Sequence, residues 1–125
     1  MDDQQRRDEG MRIRREVLGD AHVDRANEAI TDETRDFQDF ITRVAWGDVW
    51  TREALTRRER SMITLAVLTA LGRDGELALH IKAAQRIGLS RDEIAEVFLH
   101  TGVYAGVPAA NHALGMLQRD PGLED

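Results

Sequence analysis

Two acid–histidine pairs have a spacing that lets each pair share one face of a helix. Glu76 and His80 are four residues apart, and Glu96 and His100 repeat that spacing further along the chain. Side chains four residues apart lie on the same helical face, so each carboxylate can orient the imidazole and raise its pKa. An imidazole held in this way is a usable proton donor near neutral pH. The simpler alternative is an ordinary surface contact within each pair.

The repeated pair also permits a metal site made of two carboxylates and two imidazoles. Metal sites in helical bundles usually use a Glu-x-x-His step of three residues rather than four. The sequence has no cysteine that could complete a ligand set. We therefore predict no metal ligands.

Arginines stand at the start of the most apolar stretch of the chain. Arg57, Arg58 and Arg60 precede the run 61–71, where the positive end of a helix dipole would assist their guanidinium groups in binding anions. The alternative is a solvated cluster that only balances nearby glutamates. A second basic group, Arg12, Arg14 and Arg15, is more typical of an exposed arm.

Two tryptophans and a run of small residues are further candidates for a binding site. Trp46 and Trp50 are four residues apart, a spacing typical of a core or interface contact, with the wall of a pocket as the alternative. Segment 102–111 consists mostly of small residues and predicts a loop leading into a helix. Such a segment allows close approach of a ligand or of a neighbouring helix.

Helical signals dominate the elements that must position these residues. Capping-box patterns begin at Thr56 and Ser90, and alternating strand patterns are absent. Several stretches with helical apolar spacing are followed by a glycine, which is typical of the end of a helix. We predict an all-α fold with helices over 24–44, 61–71, 74–87, 90–101 and 108–117. The length of 125 residues fits a single domain over 1–125, with flexible termini at 1–11 and 120–125.

Composition excludes several classes of protein. The absence of cysteine excludes disulfides and thiol chemistry, and a net charge of −6 argues against a nucleic-acid partner. The longest apolar run, 62–71, is about half the length of a membrane span. We expect no membrane partner and a cytoplasmic location. The helix at 61–71 is apolar nearly all round, which predicts a homo-oligomer that covers its second side.

Taken together, the motifs resemble the family of 4-carboxymuconolactone decarboxylases. The resemblance runs from about Arg12 to Leu117 and keeps its motifs in order. They are RREVLG at 14–19, HVDRA at 22–26, WGDVW at 46–50, LTRRERSMITLA at 55–66, ELALHIKAAQRIG at 76–88, EIAEV at 93–97 and YAGVPAAN at 104–111.

The wider alkylhydroperoxidase-like superfamily includes enzymes with a Cys-x-x-Cys-x-x-x-His signature. This chain has Arg73 and Glu76 at the two thiol positions and keeps His80, so thiol peroxidase chemistry is excluded. The resemblance implies the decarboxylase branch, with an alkylhydroperoxidase-like helical bundle of about six helices. It also implies a homo-oligomer, commonly a hexamer.

The implied activity is the decarboxylation of 4-carboxymuconolactone, a dicarboxylate lactone, to 3-oxoadipate enol-lactone and CO2. This step belongs to the protocatechuate branch of aromatic breakdown and needs no cofactor, because the lactone is its own electron sink. We assign His80 as the general acid, oriented by Glu76. Substrate-binding candidates are the arginines Arg58, Arg60, Arg15, Arg25 and Arg73, the hydroxyl donors Ser61 and Tyr104, and the apolar walls Trp46 and Trp50. Two alternatives stay open: a non-catalytic binding or assembly subunit, and an enzyme for a related lactone.

Overall fold

The computed structural model describes residues 1–123, which form seven α-helices, one π-helical segment and no strand. The all-α prediction is therefore confirmed, with one more α-helix than expected. The chain divides into two compact units, Met1–Leu55 and a second unit that begins at Thr56. The single domain over 1–125 stays a prediction. Of the predicted flexible tail, 124–125 lie outside the described residues.

The first unit contains three α-helices and the π-helical segment. These are α1 (Asp3–Leu18), α2 (Asp20–Glu28), α3 (Arg35–Ile41) and the π-helical segment Thr42–Val49. A capping box begins α1: the Asp2 carboxylate accepts from the Gln5 N–H at 2.8 Å, and the Gln5 side chain accepts from the Asp2 N–H at 2.9 Å. Gly19, with φ of 88°, joins α1 to α2.

The start of the chain is more regular than its composition suggests. The sequence predicts flexibility over 1–11, but the structure forms a helix from Asp3 onwards. The buried positions on α1 follow the helical period and are Gly10, Ile13, Arg14, Val17 and Leu18. Two of these five, Gly10 and Arg14, do not have apolar side chains. A glycine and an arginine interrupt the apolar stripe that identifies a core-facing helix, so apolar periodicity alone does not reveal this one. Flexibility over 1–11 stays a prediction.

The predicted helix over 24–44 is also wrong in part. Helix α2 ends at Glu28, and a turn follows in which the Thr31 N–H donates to Thr34 Oγ1 at 2.9 Å. This local side-chain bond offers the backbone an alternative to helix. Phe37 and Phe40 on α3 are 62% and 52% exposed, so they do not form the expected core stripe.

Glycines allow α1 and the π-helical segment to pack with their backbones in close approach. A Cβ atom added at Gly10 would lie 2.9 Å from Gly47 N, and one added at Gly47 would lie 2.7 Å from Arg6 O. Real Cβ atoms do not make contacts this short. Only glycine fits at either position without moving the backbone.

The second unit consists of α4 (Arg57–Leu71), α5 (Asp74–Ile87), α6 (Arg91–Ala105) and α7 (Val107–Arg119). The two predicted capping boxes are confirmed: Thr56 Oγ1 accepts from the Glu59 N–H, and Ser90 Oγ accepts from the Glu93 N–H. Glycines in the left-handed conformation end α4 at Gly72 and α5 at Gly88, as the sequence predicts.

The junction of α6 and α7 differs from the prediction. Helix α6 passes through Gly102 and continues to Ala105, so only Gly106, with φ of 109°, separates the two helices. A Cβ atom at Gly102 would lie 2.8 Å from the Cβ atom of Ala110. Gly102 therefore allows the two helices to pack closely rather than ending α6.

An apolar core built around Phe98 holds the second unit together. Phe98, Leu65 and Ile94 are fully buried, and α5 and α7 contribute Leu77, Ile81, Ala113 and Leu117. The segment after α7 is anchored as well. The Asp120 carboxylate accepts from Gln85 Nε2 at 2.9 Å and lies 3.2 Å from Lys82 Nζ and from Arg91 Nη1. Asp120 is thus held by three side chains, and the flexibility expected from residue 120 stays a prediction.

Several apolar side chains of the second unit are exposed. On α4, Ile63, Val67 and Leu71 are about half exposed or more, as the apolar pattern of that helix predicts. Further along the chain Leu99, Val103 and Val107 are also exposed. Within residues 1–123 there is no helix with both the length and the apolar character needed to cross a membrane.

Candidate active site

The predicted site residues are distributed over both units. The first unit holds four of them: Arg15, Arg25, Trp46 and Trp50. The second holds the remaining seven: Arg58, Arg60, Ser61, Arg73, Glu76, His80 and Tyr104. Each group is described below within its own unit.

Helix α5 carries the predicted proton donor. Glu76 lies in the first turn of α5 and is exposed, whereas His80 lies one turn further on and is half-buried, with its Nδ1 atom buried. The neighbouring Leu77 and Ile81 are buried in the core, so the helix holds the imidazole at the edge of the apolar interior. This position suits a group that exchanges protons in a partly dry environment.

Arg58 is engaged by groups of its own unit. Its Nη1 donates to the Gly88 carbonyl at 2.8 Å, and its Nη2 contacts the Glu93 carboxylate. The pKa of Glu93 is lowered chiefly by its bond from the Ser90 N–H, with Arg58 contributing. Arg58 thus joins the start of α4 to the start of α6, a structural role that the sequence did not suggest.

Arg60 and Ser61 lie nearer the interior. Arg60 is half-buried with a buried Nε atom, and Ser61 is only 1% exposed. The Ser61 hydroxyl is buried and makes no hydrogen bond to any atom of the described residues. A buried hydroxyl without a partner is uncommon in folded proteins, and a ligand oxygen would satisfy it.

Arg73 and Tyr104 lie on the surface of the second unit. Arg73 is the N-terminal flanking residue of α5 and is exposed. Tyr104 is 81% exposed, and its ring centroid is 5.3 Å from that of His100. The assignment of both residues to a substrate site stays a prediction.

In the first unit the two tryptophans form a stacked pair. Their ring centroids are 5.1 Å apart with an interplanar angle of 29°, and Trp46 is buried while Trp50 is half-buried. Arg15 is paired with Asp20 at 3.1 Å and with Asp24 at 2.8 Å, and Arg25 is exposed. The spacing of the tryptophans therefore predicted their contact correctly, while their role as pocket walls is untested.

The second acid–histidine pair lies at an apolar cavity and not at a metal cluster. Glu96 and His100 line a cavity of about 500 Å³ together with Met62, Ile63 and Val97. Within residues 1–123 no group of three or more histidine and acidic side chains has the geometry to hold a metal ion. The four-residue metal set considered from the sequence is therefore not assembled in the described part of the chain.

Two features escaped the sequence analysis. The first is Arg14, which the sequence groups with an exposed arm but which is only 5% exposed. The second is an ion pair of His112 Nε2 with Asp74 at 3.0 Å, both on the surface of the second unit. The helical register of α1 indicated that Arg14 is buried, because Arg14 lies four residues from both Gly10 and Leu18, which are buried on the same face. Nothing in the local sequence indicated the pair of His112 with Asp74.

Residues 35–119 match the sequence model of the Carboxymuconolactone decarboxylase family. The chain belongs to this family. It is 48% identical over 118 residues to the 4-carboxymuconolactone decarboxylase of Acinetobacter baylyi, covering 94% of this chain and 88% of the relative. It is 39% identical over 112 residues to a nitrosuccinic acid decarboxylase of Metarhizium robertsii, covering 90% of this chain and 78% of the relative.

A 4-carboxymuconolactone decarboxylase of Pseudomonas putida is 58% identical over 48 residues, which is 38% of this chain. The family resemblance inferred from the motifs is thus confirmed. As a member of the carboxymuconolactone decarboxylase family, the chain is similar to decarboxylases that act on two different acids.

Proposed function

We propose that this protein decarboxylates 4-carboxymuconolactone to 3-oxoadipate enol-lactone and CO2 without a cofactor. The observation that carries the proposal is the 48% identity to a 4-carboxymuconolactone decarboxylase over 94% of the chain. The step belongs to the protocatechuate branch of aromatic breakdown. The alternative of a non-catalytic subunit is disfavoured because the relatives that align over most of the chain are decarboxylases.

The substrate itself supplies the electron sink. Loss of CO2 from the saturated ring carbon sends an electron pair through the ring double bond to the lactone carbonyl, which gives a dienolate. Nitrosuccinic acid also has two carboxylates and an electron acceptor, its nitro group. An enzyme for either acid must anchor the retained carboxylate, stabilise a developing oxyanion and protonate carbon.

His80 is the proposed general acid. Its half-buried position on α5 is consistent with a proton donor held at the edge of the core, one turn from Glu76. The imidazolium gives its proton to the dienolate carbon, and solvent restores it for the next turnover. The Ser61 hydroxyl is the proposed donor to the lactone oxyanion, because it is buried and has no hydrogen-bond partner among the described residues.

Arginines are proposed to bind the retained carboxylate rather than the departing one. Strong pairing with the departing carboxylate would stabilise the ground state and oppose its loss. Arg60, which is half-buried and next in the chain to the buried Ser61, is one candidate on α4, and Arg58, which binds the Gly88 carbonyl and Glu93, is another. Arg15, Arg25 and Arg73 stay candidates, as do Tyr104 and the two tryptophans.

We also propose that the protein is a homo-oligomer, a hexamer by resemblance, with the two units forming one domain. The apolar residues left exposed on α4, α6 and at the start of α7 support this proposal, since a second copy would cover them. Sedimentation velocity at several concentrations tests it. A monomer at all concentrations would refute it.

The first test is turnover of the chelator-treated protein with 4-carboxymuconolactone, followed by ultraviolet absorbance and CO2 release. We expect rapid metal-independent release of CO2. Nitrosuccinic acid is the comparison substrate. A much higher kcat/KM for nitrosuccinic acid than for the lactone would move the proposal to another decarboxylase, and no turnover of either acid by a folded protein would refute decarboxylation.

The second test is the role of His80. A positioned general acid contributes about 10²–10⁴-fold to the rate, so His80→Ala should lower kcat by that order while circular dichroism stays unchanged. His112→Ala is the matched control, because His112 is exposed and pairs with Asp74 at the surface. Full turnover by His80→Ala would remove His80 from the mechanism.

A further inference from the structure

One buried arginine in the first unit has no carboxylate beside it. Arg14 on α1 is 5% exposed, and among residues 1–123 no acidic side chain pairs with it. Its two terminal nitrogens are each 3.5 Å from Gln38 Oε1, a long contact, and its Nε is buried without a hydrogen-bond partner among the described residues. The other arginines of α1 all pair with carboxylates: Arg6, Arg7, Arg12 and Arg15.

This arrangement leaves a fixed positive charge in a partly dry place. Burial lowers the pKa of Arg14, but a guanidinium keeps its proton at any ordinary pH. A buried charge that lacks a partner is unfavourable, and an anion that reaches it would relieve that penalty. The hydrogen bonds from the two terminal nitrogens of Arg14 to the Gln38 amide oxygen are weak, because 3.5 Å is at the limit of a hydrogen bond.

Arg14 lines a cavity of about 200 Å³ in the first unit. Three further charged side chains line it: Arg7, Arg35 and Asp39. Asp39 accepts from Arg7 Nε at 2.5 Å and from Arg43 Nε at 2.8 Å, so its charge is already matched, and both arginines hold its pKa low. Arg35 pairs with Asp32 at 2.8 Å, and Arg14 is the charged lining residue that has no carboxylate partner among the described residues.

The rest of the lining indicates what kind of anion fits. Met11 and Ile30 provide apolar surface, and Asn27 adds an amide group. An inorganic ion would leave this apolar surface unused. The volume of about 200 Å³ favours a small anion over a large one.

We propose that this cavity binds a small organic carboxylate, with Arg14 holding the carboxylate through its planar fork and the apolar lining contacting its carbon chain. Arg14 replaces the weak contact to Gln38 by charge-assisted bonds to the two carboxylate oxygens. Arg7 and Asp39 stay paired with each other at the rim. The site does not depend on the proposed decarboxylase activity, because it is defined by the charge and shape of the first unit alone.

The test is calorimetric titration of the full chain with succinate in a chloride and HEPES buffer. We expect saturable binding by the wild type and at least about tenfold weaker binding by Arg14→Gln, since bonds between charged groups are lost. Arg12→Gln is the matched control, because Arg12 is an exposed arginine of the same helix paired with Glu9 and Glu16, and it should bind as the wild type does. Equal binding by wild type and Arg14→Gln, or no binding by the wild type, would overturn the proposal.

A second readout separates a binding role from a purely structural one. Without succinate, Arg14→Met should be at least as stable as the wild type, because the variant removes a buried charge that has no partner. Succinate should raise the thermal midpoint of the wild type and leave that of Arg14→Met unchanged. A large loss of stability of Arg14→Met in succinate-free buffer would assign Arg14 to the core and refute the site.

The carboxylate can come from the lactone or from a separate organic acid. If succinate inhibits decarboxylation competitively and Arg14→Gln raises KM, the substrate supplies the carboxylate. If succinate binds without changing kcat/KM, the occupant is a separate organic acid. Both results support the site, and the titration gives its answer even if the lactone is not turned over.

Discussion

Replacing Gly10 by alanine tests how closely α1 packs against the π-helical segment. A Cβ atom at Gly10 would lie 2.9 Å from Gly47 N and closer still to the carbonyl oxygen of Thr42. Contacts between carbon and a backbone oxygen are normally about 3.3–3.6 Å, and neither backbone atom can rotate away. The two helices must therefore separate by about 1 Å or more to admit the methyl group.

Two effects of opposite sign act on this variant. Alanine is favoured over glycine inside a helix by about 0.5–1 kcal/mol. Overpacking costs about 1–3 kcal/mol, and here the clash is with backbone atoms, which adapt least. We expect overpacking to prevail, so that Gly10→Ala lowers the free energy of unfolding by about 1–2 kcal/mol net.

Gly75 offers a matched control with the opposite sign. It lies in α5, and nothing lies within 4 Å of a Cβ atom added there. Gly75→Ala should therefore raise stability by about 0.5–1 kcal/mol. Both variants are measured by urea denaturation with far-ultraviolet circular dichroism at one protein concentration, because association shifts apparent stability. If Gly10→Ala were as stable as the parent while Gly75→Ala gained stability, the close backbone approach would be refuted.

Three further predictions concern the second unit. Phe98→Ala should lower the free energy of unfolding by about 3–5 kcal/mol, because Phe98 is fully buried in the core; a loss below about 1 kcal/mol in urea denaturation would contradict that packing. Burial raises the pKa of Asp120, but hydrogen bonds from Gln85 and the Gly122 N–H, together with the nearby Lys82, lower it by more than burial raises it. The pKa of Asp120 is therefore lowered overall. The stability from this shift is present above the ordinary pKa of aspartate and is lost as the pH falls through the lowered value, so Asp120→Asn should be less stable at pH 7 and lose less stability between about pH 5 and 2. A parallel pH profile of parent and variant would count against this account. Arg58→Lys should lower stability by about 0.5–1.5 kcal/mol, because an ammonium group does not hold both the Gly88 carbonyl and Glu93, and an unchanged thermal midpoint would contradict that link.

The helices of the second unit were predictable because their ends are marked by side-chain chemistry. Thr56 and Ser90 begin capping boxes, and Gly72 and Gly88 adopt the left-handed conformation that ends a helix. These signals are local, so a single sequence contains them. Gly102 misled the prediction because its role is contact with Ala110 on the next helix, which local sequence does not encode.

The first unit was less predictable because its packing violates the usual apolar pattern. Gly10 and Arg14 occupy core positions of α1, so the sequence of α1 lacks the continuous apolar stripe that is typical of a core-facing helix. Arg14 belongs to the same basic group as two arginines that bind carboxylates at the surface, and only the structure distinguishes it from them. Among the site residues, His80 and Ser61 could be proposed from their residue types. That both are partly or fully buried could be known only from the fold.

The stacked pair of Trp46 and Trp50 gives the first unit an optical label of its own. These are the two tryptophans of the chain, and the single tyrosine, Tyr104, lies in the second unit. Tryptophan emission therefore reports unfolding of the first unit, while far-ultraviolet ellipticity follows helices in both. Denaturation curves that coincide would mean that the two units unfold as one cooperative domain, and curves that separate would resolve two folding steps.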